Sequence, residues 1–244
     1  MDRAIGTLRN HLQEINLRDN TFLLYCGDNG TPPSAGRTGM TIREEKASIY
    51  EGGILVPGIV EWPAVISTPV VNKNIVVTSD LLPTLAEITN QPIPDRPIDG
   101  VSLLPFIKNP SSERMTPIFF WQFDVNSAFD DSAEPYINPT LQEGTTPLVK
   151  IMDGKYIRSF RNDVYPEISP LHLGGQRAMV TNRFKLVLDG QTPNDSGNEL
   201  YDLLSDRGET TNIADEYPEV VVQMINELKG WQESVLNSLT GADY

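Results

Sequence analysis

Three polar side chains near the amino terminus have the types that bind a cation and an anion. Asp28 and Asn29 are adjacent and lie between Gly27 and Gly30, and Lys46 follows in a charged segment. One carboxylate and one amide oxygen on a tight turn suit a hard cation such as Ca²⁺ or Mg²⁺. A lysine nearby would present a compact positive charge to an anionic substrate.

Each of these signals also has an ordinary structural explanation. Asp and Asn beside glycine are common in turns, and a charged segment is usually a solvated loop. The glycines of Tyr50-Glu51-Gly52-Gly53 indicate a backbone that passes close to another segment, but a plain turn explains them equally well. The residue types alone therefore leave both a binding site and a set of turns open.

The other reactive side chains provide no nucleophile. Cys26 ends an apolar run, where we predict a buried, inert thiol. Because it is the one cysteine, an intrachain disulfide framework and a cysteine-based zinc site are both excluded. His11 and His172 have no second ligand or acidic partner at the spacing of a metal site or a catalytic triad.

The elements that position these side chains are predicted from hydrophobic periodicity. The spacing of Ile5, Leu8, Leu12 and Ile15 predicts an amphipathic helix with one buried face. Residues 21–26 form a continuous apolar run typical of a strand buried on both faces, as in a parallel sheet. Ligands in such sheets bind at the carboxyl ends of the strands, which is where the Asp-Asn pair falls.

The rest of the chain divides near residue 115. Before it, Thr78-Ser79-Asp80 resembles a helix N-cap, and residues 91–110 are rich in proline. After it, residues 116–123, 149–160 and 178–188 are strand candidates, and an amphipathic helix begins at Pro218. We therefore predict an α/β domain over residues 1–115 and a smaller α+β domain over residues 116–244, with an antiparallel sheet and a terminal helix.

Composition restricts the class of partner. The formal net charge of the 244-residue chain is −14, which argues against nucleic acid as a ligand. No apolar run approaches the roughly 18 residues that a membrane span requires. An anionic substrate would depend on local cations, for which Arg37, Arg43 and Lys46 are the candidates. The sequence does not indicate an oligomeric state.

Taken in order, several motifs resemble the second half of the sulfatase catalytic domain. Each is weak alone, but their number and order are specific, and the resemblance covers nearly the whole chain. The motifs are Gly27-Asp28-Asn29-Gly30, the segment of residues 46–58, Glu61-Trp62-Pro63, Ser79-Asp80-Leu81-Leu82-Pro83-Thr84, Asp99-Gly100-Val101-Ser102-Leu103, Glu199-Leu200-Tyr201-Asp202-Leu203 and Glu209-Thr210-Thr211-Asn212-Ile213-Ala214.

The resemblance implies a fold and a chemistry. The fold would be α/β, the rear part of an alkaline-phosphatase-like mixed sheet with flanking helices, followed by the α+β domain. Arylsulfatase-like enzymes hydrolyse sulfate esters with a formylglycine beside Ca²⁺. By resemblance, Asp28 and Asn29 match the late pair of metal ligands, and Lys46 matches the catalytic lysine that contacts the sulfate.

The resemblance also implies the substrate class and the compartment. The substrate would be a sulfated small molecule or a sulfated glycan. For the full-length protein, the resemblance suggests a periplasmic or secreted location.

This sequence departs from the family pattern at the nucleophile. The Cys/Ser-x-Pro-x-Arg motif that yields formylglycine is absent, since the nearest string, Ser67-Thr68-Pro69-Val70-Val71, lacks the arginine. We therefore expect that the natural polypeptide extends upstream and that this chain alone is inactive. The alternatives are an inactive sulfatase remnant, a binding module, or a phosphatase or phosphodiesterase of the same superfamily. Glu44, Glu45 and Leu55 also differ from the usual pattern.

Overall fold

The computed structural model describes residues 1–31, 42–122, 173–190, 197–240 and 242. Its first part contains, among the described residues, four helices and a two-stranded sheet. In chain order, the elements of this part are α1 (Asp2–Glu14), β1 (Leu23–Cys26), α2 (Glu51–Ile54), β2 (Gly58–Glu61), α3 (Leu81–Thr89) and α4 (Leu104–Lys108), with short 3-10 turns at Arg18–Asn20 and Thr78–Asp80. None of the described helices combines the length and apolarity needed to cross a membrane.

Strand β1 pairs with β2 in an antiparallel register in which Leu23 lies opposite Glu61 and Cys26 opposite Gly58. The predicted helix and strand are confirmed, but the predicted parallel pairing and complete burial of the strand are wrong. Cys26 is exposed, because it faces a residue without a side chain at the strand end. Likewise no residue of α1 is fully buried in the described structure, since its apolar face is only partly covered there.

Helix α3 begins where the sequence predicts a cap. The fully buried Asp80 precedes the helix, and its Oδ2 accepts a hydrogen bond from the Val77 backbone N–H at 2.9 Å. Its Oδ1 accepts one from the Val101 N–H at 2.8 Å. Arg114 Nη1 lies 2.7 Å from Oδ2, which completes a buried ion pair. One carboxylate thus closes the 3-10 turn that leads into the helix and attaches two later segments to this point.

The second part is an antiparallel sheet of four strands, followed by a long helix. The strands, in sheet order, are β3 (Ile118–Trp121), β4 (Arg177–Val180), β5 (Phe184–Leu188) and β6 (Glu199–Asp202), and the helix is α5 (Pro218–Thr240). The predicted antiparallel sheet and terminal helix are confirmed. The strand candidate at residues 149–160 lies outside the described residues, and the domain boundary near residue 115 stays a prediction.

The predicted strand over residues 178–188 is instead a hairpin of two strands. The Thr181 backbone N–H donates to the Phe184 carbonyl at 2.8 Å, and the Thr181 hydroxyl accepts from the Phe184 N–H at 2.8 Å. These two bonds close a turn in the middle of the predicted strand. The polar residues Thr181-Asn182-Arg183 provide that turn, which the alternation of the flanking apolar residues does not indicate.

The two faces of the four-stranded sheet have different partners. On one face, Met179, Leu186 and Leu200 pack with Met224 and Leu228 of α5 to form the main core. On the opposite face, Ala178, Val187 and Tyr201 pack against Ile49 and Tyr50 from the first part of the chain. The segment that carries Lys46 therefore lies on the second face of this sheet.

Candidate active site

The Asp28-Asn29 turn begins directly after β1. Gly27 N–H donates to the Pro57 carbonyl at 3.1 Å, so the turn starts from a fixed point beside β2. Asp28 is exposed and Asn29 is half-buried. The Asn29 side-chain amide donates through Nδ2 to the Gly30 carbonyl at 2.8 Å. This bond uses the amide nitrogen, so the amide oxygen is the atom of Asn29 that would bind a cation.

Glycines hold this turn against the segment that follows Lys46. Gly30 N–H donates to the Gly53 carbonyl at 2.9 Å, and Thr31 N–H donates to the Gly52 carbonyl at 3.2 Å. A Cβ atom on Gly30 would lie 2.2 Å from the Gly52 oxygen, which no side chain can tolerate. The close backbone approach that the glycines of the Tyr50-Glu51-Gly52-Gly53 motif indicated is therefore confirmed.

Lys46 is joined to the same turn through its backbone. Lys46 N–H donates to the Thr31 carbonyl at 2.9 Å, so Thr31 is bonded both to Lys46 and to Gly52. The lysine is exposed, and within the described ranges its ammonium group makes no ion pair. Ala47 has a φ of 75°, a backbone conformation that turns the chain sharply after the lysine. The structure thus brings the predicted cation turn and the predicted lysine to one place.

The donor atoms of Asp28 and Asn29 fit part of a Ca²⁺ site. Both provide oxygen ligands, which Ca²⁺ prefers, but this ion takes about six to eight of them. Within the part of the chain that the structure describes, no group of three or more His, Cys, Asp or Glu side chains is placed to hold a metal. The pair therefore suits one side of a coordination shell.

Arg43 binds residues of the four-stranded sheet, whereas the sequence predicts a cation that is free to meet a substrate. Its Nη1 lies 3.1 Å from Glu199 Oε2 and also bonds the Tyr201 hydroxyl, both on β6. Its guanidinium carbon lies 3.8 Å from the centre of the Tyr50 ring. The prediction that Arg43 meets a substrate anion is therefore corrected, because its charge is paired within the protein. Arg37, the other arginine proposed for that role, lies outside the described residues.

We call Arg43, Tyr50, Glu199 and Tyr201 the Arg43 cluster. Glu199 accepts hydrogen bonds from both tyrosine hydroxyls, at 2.6 Å from Tyr50 and 2.8 Å from Tyr201. Burial opposes the ionised form of Glu199, but these bonds and Arg43 outweigh it, so the pKa of Glu199 is lowered. Burial and bonding to the carboxylate raise the pKa of both tyrosines, which keeps them as hydrogen-bond donors.

A second ion network lies next to the Arg43 cluster. We call Glu51, Lys185 and Glu209 the buried triad. Lys185 is fully buried on β5, and its Nζ lies 3.1 Å from Glu51 Oε1 and 2.7 Å from Glu209 Oε1. Glu209 Oε2 also accepts the Glu51 backbone N–H at 2.7 Å. Burial raises the pKa of Glu209, although Lys185 acts in the opposite direction.

Neither network was predicted from the sequence. A signal for one existed in β5, because the alternation of a strand puts Lys185 on the same face as the buried Val187. A lysine on a buried face requires a carboxylate partner, since a buried unpaired charge is very unfavourable. The sequence offers 33 acidic residues, and the alternation of β5 alone does not choose among them.

The comparison with known proteins identifies relatives of this chain. The sequence pattern of the sulfatase family matches residues 1–91. A sulfatase from Formosa agariphila is 28% identical over 253 aligned positions, which cover 95% of this chain and 38% of that protein. An N-acetylgalactosamine-6-O-sulfatase from Bacteroides thetaiotaomicron is 27% identical, and the match covers 92% of this chain and 39% of that protein. The chain thus spans about two fifths of the length of these relatives.

The solved structures confirm the fold class. A structure from work on glycosaminoglycan metabolism by Bacteroides thetaiotaomicron superposes with a TM-score of 0.62 at 22% identity. The superposition covers 95% of this chain and 43% of that chain. Because the identity is low, this likeness concerns the fold alone. It agrees with the α/β arrangement and the antiparallel C-terminal sheet that the sequence predicts.

Proposed function

We propose that this chain, whose residues 1–91 match the sulfatase family, supplies the late part of a sulfuric ester hydrolase site. Asp28 and Asn29 would bind Ca²⁺ through their side-chain oxygens, and Lys46 would contact the sulfate. The observation that supports this proposal is the backbone connection through Thr31, which bonds Gly52 through its N–H and Lys46 through its carbonyl.

The chemistry that these residues would perform is electrostatic. Hydrolysis of a sulfate ester gathers negative charge on the sulfuryl oxygens and the leaving oxygen, and fixed positive charge lowers that barrier. Ca²⁺, when bound, supplies charge on one side of the sulfate. The exposed Lys46 ammonium, held beside the turn by its own backbone, would bind the anion on the other side and donate a hydrogen bond to the departing oxygen.

The substrate we propose is a sulfated sugar. Support comes from the relative that acts, by its name, on N-acetylgalactosamine 6-O-sulfate and matches 92% of this chain. The net charge of −14 would repel a sulfated anion at long range, so binding would depend on cations at the site itself. Lys46, which is exposed and whose backbone N–H bonds Thr31, would be such a cation.

We propose further that the 244-residue chain has no sulfatase turnover by itself. Its sequence contains no Cys/Ser-x-Pro-x-Arg motif, so it lacks the residue from which the nucleophile is made. The second candidate is an inactive remnant that retains only the binding half of the site, for which the same absence is expected. The two candidates differ in whether the natural protein that contains this chain hydrolyses a sulfate ester.

The test measures hydrolysis of 4-nitrophenyl sulfate and of N-acetylgalactosamine 6-sulfate by that natural protein. We expect Asp28→Ala to abolish turnover and to weaken Ca²⁺ binding measured by calorimetry. Lys46→Ala should lower kcat by roughly a hundredfold, as expected for loss of one transition-state charge contact, with Ca²⁺ affinity retained. Lys73→Ala, which removes an exposed lysine outside the site, is the matched control and should leave both properties unchanged.

Two results would contradict the proposal. Wild-type turnover in both site variants would remove Asp28 and Lys46 from the site. Tight Ca²⁺ binding by the 244-residue chain alone would show that it provides more Ca²⁺ ligands than Asp28 and Asn29. A pair of oxygen ligands supports only weak affinity.

A further inference from the structure

Two charged anchors from the C-terminal sheet hold the segment that carries Lys46. Residues 43–53, the lysine segment, begin with Arg43 and include Glu51 near their end. Arg43 is bound by Glu199 of β6, and Glu51 is bound by Lys185 of β5. Lys46 lies between the two anchors. We propose that this sheet positions Lys46 for sulfate contact, an inference that rests on the function proposed above.

The first anchor fixes the start of the lysine segment. Arg43 contacts Glu199 through both terminal nitrogens, at 3.1 and 3.4 Å, and stacks on the Tyr50 ring. Bonds between charged groups with two contacts are stronger and better directed than single neutral bonds. The Arg43 carbonyl in turn accepts the Gly52 N–H at 2.8 Å. The guanidinium contact therefore sets the position of the backbone that meets Gly52.

The second anchor fixes the end of the lysine segment. The Glu51 carboxylate binds Lys185, and the Glu51 backbone N–H donates to Glu209 at 2.7 Å. Glu51 is thus held by its side chain and its main chain at once. The next residues, Gly52 and Gly53, carry the carbonyls that accept from Thr31 and Gly30. Displacement of Glu51 would therefore move the turn that begins at Asp28.

Apolar contacts attach one side of the lysine segment to the sheet. Between the anchors, Ile49 and Tyr50 are buried against Ala178, Val187 and Tyr201 of the sheet. The lysine segment thus presents one side to the sheet, and Lys46, which is exposed, lies on its uncovered part. The four-stranded sheet thus supports one side of the lysine segment and leaves Lys46 accessible on the other, as a binding site on a loop requires.

The first test measures backbone hydrogen exchange in the 244-residue chain. Glu199→Gln keeps the size of the side chain and removes its charge. We expect the Lys46 and Gly52 amides to exchange about tenfold faster in this variant, because one charge-assisted contact is lost. The matched control is Asp202→Asn, on the same strand as Glu199, which removes the ion pair with the exposed Arg183 of the turn between β4 and β5. In the control, these two amides should exchange at the wild-type rate.

A milder variant covers the case in which Glu199→Gln does not fold. Tyr201→Phe removes only the hydroxyl that bonds Arg43 and Glu199. It should raise exchange at Lys46 and Gly52 by a smaller factor of about three, with the amides of α5 unchanged. Equal exchange of Lys46 and Gly52 in wild type and in both cluster variants would overturn the positioning proposal.

The second test asks whether Glu199 acts through Lys46. In the natural protein, Glu199→Gln should lower kcat about tenfold with little change in KM. If the effect passes through the lysine, Glu199→Gln should have almost no further effect when Lys46 is already alanine, because coupled residues are not additive. A merely structural role would lower activity by the same factor in both backgrounds, and that result would overturn the proposal.

The two tests separate this inference from the proposed function. Faster exchange at Lys46 with normal turnover in Lys46→Ala would sustain the positioning of the segment and refute the sulfatase role of the lysine. Unchanged exchange with a large loss of turnover in Lys46→Ala would sustain the sulfatase role and refute the positioning by the sheet.

Discussion

Replacing Lys185 by methionine removes the single cation of the buried triad. Methionine has a similar length and no charge, so the change leaves the carboxylates of Glu51 and Glu209 without their common partner. The side chains of Lys185 and Glu209 are fully buried and that of Glu51 is 6% exposed, so water cannot replace the lost ammonium group.

The size of the effect follows from this geometry. Removing one partner of a buried ion pair destabilises a protein by about 3–5 kcal/mol, because the remaining charge is uncompensated. Here two carboxylates share the lysine, so the upper part of that range applies at neutral pH. With a urea dependence of about 2 kcal/mol per molar, the unfolding midpoint should fall by roughly 2 M. Such a loss is a large fraction of the ordinary stability of a domain.

The pH dependence has a definite sign. Burial already raises the pKa of Glu209 in the wild-type protein, and loss of Lys185 should raise it further. A carboxyl group with a raised folded-state pKa contributes stability below its unfolded-state pKa, and this contribution is lost as the pH rises through the folded-state value. The destabilisation by Lys185→Met should therefore be small near about pH 5 and largest near about pH 7.5.

Urea denaturation followed by tryptophan fluorescence measures this effect. Wild type, Lys185→Met and the exposed control Lys73→Met should be compared at both pH values, and the control should change by less than about 0.5 kcal/mol. Adding Glu209→Gln to Lys185→Met should restore part of the stability at the higher pH. A loss below about 1 kcal/mol at that pH, or a larger loss at the lower pH, would refute the reasoning.

The remaining predictions concern the backbone contact at Gly30 and the buried ion pair at the start of α3. Gly30→Ala should destabilise the chain by about 2–4 kcal/mol in urea denaturation, because the new Cβ would meet the Gly52 carbonyl oxygen at 2.2 Å. Gly6→Ala, which meets no atom within 4 Å, should leave stability unchanged or raise it, and equal losses in both variants would contradict the contact. Asp80→Asn should lower the unfolding free energy by about 3 kcal/mol, because Arg114 would remain buried without a carboxylate; a loss below about 0.5 kcal/mol would be inconsistent with that pair.

The sequence predicted most elements whose signals are local. Helix α5 starts at Pro218 as its periodicity and proline indicate, and α3 follows the predicted cap at Asp80. The turn between β4 and β5 was not predicted, because the residues on both sides of Thr181-Asn182-Arg183 form a pattern typical of a single strand. Local patterns thus indicate the type of element better than its ends.

Burial could not be predicted in the same way. The helical spacing of α1 indicates a face that can be buried, but in the described structure Leu8 and Ile15 of that face are exposed and Ile5 and Leu12 are only partly buried. Cys26 ends an apolar run, yet it is exposed opposite Gly58. Burial depends on the segment that packs on top, and the residues of the helix or strand do not contain that information.

The candidate site, too, could be predicted only in part. Asp28, Asn29 and Lys46 could be named from the sequence, but the partners that hold them could not. Arg43 looked like a free cation near the site because its neighbours along the chain are charged. In the structure it binds Glu199, a residue 156 positions away. Such a contact leaves no local trace in either segment.

The buried Lys185 indicates what more could be inferred from a sequence of this kind. A lysine on the apolar face of a strand predicts a buried carboxylate, and a carboxylate beside two glycines predicts a segment held close to another part of the chain. Glu51 satisfies both conditions, since it binds Lys185 and precedes Gly52 and Gly53. Together, these two requirements favour a C-terminal sheet that packs under the lysine segment. A charged residue where an apolar one is expected is thus informative about the tertiary partner as well as about the strand.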